Sequence, residues 1–180
     1  MYIPTFDDVL SAHERIKPYI HRTPVLTSRY FDHRTGASLF FKCENFQKAG
    51  AFKVRGASNA VFGLDDATAA RGVATHSSGN HALSLSYAAG RRGINATVVM
   101  PRTAPAAKKD AVRGYGGVVL ECEPSTAARE AMLNDLVEKT GADFVHPYND
   151  HRVIAGQGTC ALELSQKVEN LVAVVAPIGG

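Results

Sequence analysis

The chain is predicted to be an α/β protein built on parallel sheets flanked by helices, and two observations predict it. Apolar, β-branched runs recur at SLFFKCE, GVATHS, NATVVMP, GGVVLEC, ADFVHP and NLVAVVAPIGG, the composition of buried strands. Between the last five lie GNHALSLSYAAGRRG, TAPAAKKDAVRGYG, STAAREAMLNDLVEKTG and DHRVIAGQGTCALELSQKV, amphipathic stretches opened by a small polar residue or proline and mostly closed by glycine. Strands and helices alternating in this order give right-handed crossovers, with ligands gathering beyond the carboxyl ends of the strands. Ahead of them, MYIPTFDDVLSAHERI reads as a helix with Thr5 as N-cap and Asp8 completing a capping box. No low-complexity linker divides the chain, and the strand spacing carries no sequence repeat.

Composition narrows the function classes. With 180 residues, 45% of them apolar and 21% charged, the chain is long enough to bury one or two cores. Its net charge of +3 comes from scattered Lys and Arg with no basic run interleaved with aromatics, so no nucleic-acid partner is expected. Cys43, Cys122 and Cys160 are far apart and lack CxxC spacing, which predicts neither a disulfide framework nor a zinc site and fits a reduced, cytoplasmic setting. No apolar run reaches the length of a bilayer span, and the N-terminus has no basic region followed by an apolar core, so no membrane association is expected. His76 and His81 bracket a loop without helical i, i+4 spacing or a third ligand, so no metal ligation is expected within this chain.

Four segments carry the candidate chemistry. In GAFKVRGA, Lys53 stands between Phe52 and Val54, and is either a snorkelling surface lysine or a desolvated amine. Ser77, Ser78, Gly79, Asn80 and His81 lead from a strand directly into a helix, whose free amides and positive dipole end suit a carboxylate or phosphate. The alternative there is that Ser78 merely caps the helix and Asn80 pairs with backbone. The terminal VAVVAPIGG runs into Gly179 and Gly180, either a plain turn or a point where a phosphate approaches backbone closely. GQGTCA at Gly156 to Ala161 fits G-x-G-x-x-A, but its lead-in is PYNDHRVIA rather than a strand and no acid ends the next strand, which argues against a nicotinamide site.

An apolar lysine, an anion cradle and a second glycine loop together ask for a cofactor with an aldehyde, a phosphate and an electron sink, and pyridoxal phosphate has all three. NFQKAGAFKVRGASNAV, THSSGNHALSLSYAAG, PRTAPAAKKDAVRGYGG, CEPSTAARE, HPYNDHRVIAGQGTCALE and VVAPIGG resemble, in order and spacing, the serine/threonine dehydratase and serine racemase family. That family has the tryptophan synthase β-like, type II pyridoxal phosphate fold, and the resemblance runs from HRTPVLTS to the end of the chain.

The resemblance implies roles for individual residues. Lys53 matches the Schiff-base lysine, Phe52 the neighbour of the pyridine ring, and Asn80 the partner of the cofactor's 3′-oxygen. The segment Ser77, Ser78, Gly79, Asn80, His81 matches the cradle of the substrate carboxylate. Ser78 also matches the serine that faces the lysine across the cofactor in racemases, and Arg129 an arginine on the substrate side. Gly179 and Gly180 resemble the first half of the phosphate loop. The implied activity is dehydration and deamination of L-serine, L-threonine or threo-3-hydroxyaspartate to a keto acid and ammonia, with serine or aspartate racemisation as the alternative branch. HPYND is closer to dehydratases than the HPNQ of animal racemases. Leu83 and Arg29 depart from positions associated with nucleotide binding and argue against ATP activation, although Lys48 and Tyr115 match other such positions.

Three further expectations follow from the resemblance. Residues 1–49 form the start of a large domain, 50–145 a small α/β domain, and 146–180 the return into the large one. The full-length family member is a homodimer, and any Mg2+ or other divalent cation would be held by residues beyond Gly180. The chain is therefore expected to be a truncated enzyme that alone retains cofactor poorly and has little activity. Two other classes make distinct predictions: a non-catalytic regulatory module would be colourless and insensitive to borohydride, and a nucleotide-binding domain would be protected by NAD or ATP.

Overall fold

The structure, a computed structural model, describes residues 2–176. Helix α1 (Phe6–Ile16) begins as its sequence dictates: Asp8 N donates to Thr5 Oγ1 at 3.4 Å and Thr5 N donates to Asp8 Oδ2 at 2.7 Å. Acidic side chains occupy its first turn and basic ones its last, in favourable alignment with the helix dipole. A two-stranded antiparallel ribbon follows, in which β1 (Val25–Thr27) pairs with β2 (Phe40–Lys42) across the short helix α2 (Arg29–Thr35). Gly36 closes α2 in the left-handed conformation at φ 70°, where a side chain would be strained.

The remaining elements are α3 (Lys53–Phe62), α4 (Asp66–Ala70), β3 (Val73–His76), α5 (Asn80–Arg92), β4 (Ala96–Pro101), α6 (Ala106–Gly114), β5 (Val118–Cys122), α7 (Thr126–Thr140), β6 (Asp143–Phe144) and α8 (His151–Lys167). Strands β3 to β6 form one parallel sheet in the order β5-β4-β3-β6. The fold is thus the expected α/β class, with helices on both faces. Ala57, Val61, Leu85, Ala88 and Val145 build the core beneath α3 and α5, while Val99, Cys122 and Leu133 build the core beneath α7. The strand order reverses beside β3, because β4 lies on one side of it and β6 on the other. A crevice therefore opens beyond the carboxyl ends of β3 and β6, the position where ligands bind in open α/β sheets.

One expectation is corrected. Leu171–Ala176 is not a strand: it has no ladder partner among the described residues, and Val172 and Val175 stand fully exposed. A lone extended segment cannot satisfy its amides, so apolar composition alone does not make it a strand. Gly179 and Gly180 lie outside the described residues. In addition, α3 was not legible as a helix, because every residue from Lys53 to Val61 is buried, including Arg55, Ser58 and Asn59. A helix enclosed on all sides shows no amphipathic stripe.

The glycines of GQGTCA have a packing role inside α8. A Cβ at Gly156 would come within 2.6 Å of Arg55 O and Gly56 Cα, and one at Gly158 within 2.8 Å of Val9 Cγ2. Gly156 lets α3 pack on α8 at backbone contact and Gly158 leaves room for the Val9 side chain of α1, and the pattern sits in mid-helix rather than at a helix start. Gly156→Ala is accordingly expected to destabilise the protein by about 1–3 kcal/mol through overpacking. A urea unfolding curve checks this.

Candidate active site

Lys53 opens α3 and is only 6% exposed. Its Nζ donates to Pro147 O at 2.9 Å and lies 5.4 Å from the centroid of the Phe52 ring. Burial holds its pKa below the ordinary lysine range, so the neutral, nucleophilic amine is favoured. The desolvated reading of this lysine therefore holds, and the snorkelling one does not.

The loop that supplies Pro147 O is fixed at both ends. Val145 O accepts from Thr75 Oγ1 at 2.9 Å and pairs with His81 Nε2 at 3.1 Å. Asp150 caps α8 and takes a fork from Arg152, whose NH1 reaches Asp143 Oδ2 at 2.8 Å. Between these anchors, His146 Nδ1 accepts from Asn149 N at 2.8 Å.

Opposite, Gly79 is the N-cap of α5 and offers no side chain to the first turn. Ser78 does not cap that helix, and Ser77 Oγ accepts from Gly79 N at 3.3 Å. The amides at the start of α5 thus have no intrahelical acceptor and face the crevice with the positive end of the helix dipole. His81 is 2% exposed, and burial pushes its pKa down to about 4. Its ring is neutral at physiological pH, with Nε2–H assigned by the Val145 carbonyl and Nδ1 left as a buried acceptor without a partner among the described residues.

These elements enclose a cavity of about 510 Å³. Phe52, Lys53, Ser77, Ser78, Gly79, Asn80, His81 and Arg129 all line it, so the structure brings together the described residues that the resemblance assigned to cofactor and substrate. Arg129 enters from the first turn of α7, donating from NH2 to Thr126 Oγ1 at 3.0 Å. Burial, reinforced by the Arg129 charge, lowers the pKa of the neighbouring His76. The sequence reading missed His76, His146, Pro147 and Tyr148 as lining residues; the signal was available, since both segments follow predicted strands of one sheet.

The His81 pKa makes a stability prediction. Unfolded, the imidazole takes up a proton near 6.5, and folded only near 4. Between those values the unfolded state binds more protons, so stability falls as pH drops through this window. The expected loss is on the order of 3 kcal/mol from His81, with His76 and His146 shifted by burial in the same direction. Urea titrations at both ends of the window should show it, and His81→Gln should flatten the slope.

The family model described as pyridoxal-phosphate dependent enzyme matches residues 16–180. The chain belongs to this family. Within the pyridoxal-phosphate dependent enzymes, it is 72% identical over 180 residues to a beta-hydroxyaspartate dehydratase of Paracoccus denitrificans, covering 100% of this chain and 57% of that protein. A serine racemase of Arabidopsis thaliana is 54% identical over 96% of this chain and 53% of its own length. The solved structure of maize serine racemase superposes with a TM-score of 0.92 at 50% identity, covering 94% of this chain and 51% of that one. The chain thus spans about half the length of the curated relatives it matches.

The cavity's donor set fits the reactive end of the cofactor that defines this family. Lys53 presents a desolvated amine for an aldehyde, Phe52 a flat apolar wall for a ring, and the start of α5 unpaired amides for anionic oxygens.

Proposed function

We propose that the protein carrying this chain catalyses the pyridoxal phosphate-dependent elimination of water from a β-hydroxy amino acid, giving a keto acid and ammonia. Its substrate class is that of L-threo-3-hydroxyaspartate, L-serine and L-threonine. The observation that carries the reading is the desolvated Lys53 amine, placed in one cavity with the amide-lined start of α5 and the Arg129 guanidinium. The name of the beta-hydroxyaspartate dehydratase points the same way, and the names of the serine racemases point to the second branch described below.

When bound, pyridoxal phosphate supplies an aldehyde that captures an amine and a conjugated ring that takes up the electron pair released at the substrate's Cα. Lys53 and Phe52 would hold it from one side and Asn80 from the other. The chain's own residues do the rest. The amides of the Ser77–His81 segment bind the α-carboxylate, and Arg129 binds a second carboxylate. Lys53 Nζ, whose burial disfavours the charged form, takes the Cα proton and passes it to the departing β-hydroxyl, which leaves as water. The enamine set free hydrolyses in solution to keto acid and ammonia. Ser78, whose hydroxyl belongs to the same cavity, supports a second branch: a proton delivered to Cα from its side would invert the amino acid, as a racemase does.

The domain division at residues 50 and 145, a homodimer, a cytoplasmic setting and a divalent cation held outside this chain belong to the same reading. They rest on the family resemblance.

The test supplies the cofactor-loaded protein with each hydroxy amino acid in turn and measures ammonia, keto acid and inverted amino acid. We expect hydroxyaspartate to be preferred. Arg129→Ala should lower its kcat/KM by about 10- to 100-fold, the value of a charge-assisted hydrogen bond, and leave L-serine turnover much less affected. Ammonia from none of the three would overturn the reading.

A further inference from the structure

Arg55 lies two residues beyond Lys53 on α3 and is completely buried. All five N–H donors of its guanidinium are used. Nε donates to Glu44 Oε2 at 2.7 Å and NH2 to Glu44 Oε1 at 2.8 Å. NH1 and NH2 donate to the two Glu163 oxygens, each at 2.9 Å, and NH1 also donates to Thr159 Oγ1 at 3.1 Å. The circuit closes through a second cation: Lys42 Nζ donates to Glu163 Oε2 at 2.6 Å and to Thr23 O at 2.8 Å, and Thr23 Oγ1 donates to Glu44 Oε1 at 2.6 Å. The ring contains two positive and two negative side chains and is neutral.

Such a ring is a poor route to stability, since well-packed apolar side chains of similar volume do as well or better. What it does provide is directional placement, and its geometry shows of what. It ties the first turn of α3 to α8 through Thr159 and Glu163, and to the Glu44 segment. Lys53, one half-turn back on α3, bonds the loop that leads into that same α8. Gly56 and Gly156 bring the two helices to backbone contact between these points.

We infer that Arg55 is a positioning residue for Lys53: the buried ring holds α3 in register against α8, and that register keeps the Lys53 amine beside Pro147 and out of water. The inference rests on Lys53 being the reactive amine, but its test does not. The titratable groups facing the amine are His81 on α5 and His146 in the loop before α8. Burial lowers the pKa of both, His81 to about 4.

The experiment is competitive acetylation of the cofactor-free chain across the neutral to alkaline range, with mass spectrometry reading the labelling midpoint at Lys53. Wild-type protein should label Lys53 with a midpoint below the ordinary lysine range. Arg55→Met should raise that midpoint by about one pH unit or more as the amine reaches water, and Arg55→Lys should fall between. Lys109, buried on α6 with its amine on Arg102 O and Glu121, reports global folding by staying protected. If Arg55→Met exposes Lys109, Thr159→Val decides instead, because it removes one of the five bonds: a raised Lys53 midpoint supports the inference and an unchanged one overturns it. A folded Arg55→Met protein with an unchanged midpoint also overturns it, leaving Arg55 as a structural tie alone. Because this readout needs no cofactor, it stands or falls separately from the proposed reaction.

Discussion

Lys53→Ala is expected to reduce ammonia release by about 10³-fold or more, because in the proposed reaction Lys53 is both the amine that captures the cofactor and the base that takes the Cα proton. Borohydride treatment gives a second readout. It should fix the cofactor to wild-type protein at the peptide containing Lys53 and leave the variant unmodified. Full ammonia release by the variant would overturn the proposed role. Stability should move the other way. Burial lowers the Lys53 pKa, so the fold disfavours the charged amine that the unfolded chain carries freely below its ordinary pKa. That opposition is complete below the folded pKa and fades as pH rises toward the unfolded one, so Lys53→Met should melt at the same temperature as wild type or higher. A residue that lowers stability where it sits is placed for chemistry, not for folding.

Glu163→Ala is expected to destabilise the protein by about 3–5 kcal/mol, the usual consequence of leaving a buried charge without its partner. The carboxylate is 2% exposed and bonds both Arg55 and Lys42, so its removal leaves Arg55 with Glu44 and Lys42 with only the Thr23 carbonyl. Burial alone would raise the Glu163 pKa, but hydrogen bonds from Arg55 and Lys42 outweigh it and hold it below the ordinary carboxylate range. Its contribution is therefore complete above that range and is lost as pH falls through the folded value. Urea unfolding at neutral pH measures the loss. The double variant Arg55→Met with Glu163→Leu should recover part of it, since it removes one charge of each sign and leaves Lys42 and Glu44 linked through Thr23. Recovered stability without a recovered Lys53 labelling midpoint would separate what the ring does for folding from what it does for the site.

Legibility in the sequence differed sharply from one element to the next. Helices α1, α5, α6, α7 and α8 were readable because each keeps one wet face and local caps: Thr5, Ser125 and Asp150 begin α1, α7 and α8, and Gly93 and Gly141 end α5 and α7. Strands β3, β4 and β5 were readable as β-branched runs between those helices. Helix α3 was not, since enclosure on all sides erases its periodicity, and the polar residues it buries look like surface. The site showed a similar split. SSGNH announced itself through its position between a strand and a helix, and Lys53 through its apolar neighbours. His146, Pro147 and Tyr148 carried only the weaker signal of following a predicted strand, because their place in the site comes from β6 lying beside β3, a neighbour distant in sequence.

What the sequence determined by itself is the set of parts: alternating strands and helices, an amine between apolar residues, a helix start free of capping side chains, and motifs in the order of a pyridoxal phosphate family. These are properties of short segments, governed by local propensity and capping. Only the tertiary structure decided the meaning of three others. It gave GQGTCA, whose sequence context already argued against a nucleotide site, its role as a helix-packing surface, showed no strand partner for Leu171–Ala176 among the described residues, and made Arg55 the centre of a buried ring behind Lys53. Each depends on what lies across the contact from a residue far along the chain, and burial and ion pairing belong to that contact rather than to either segment alone.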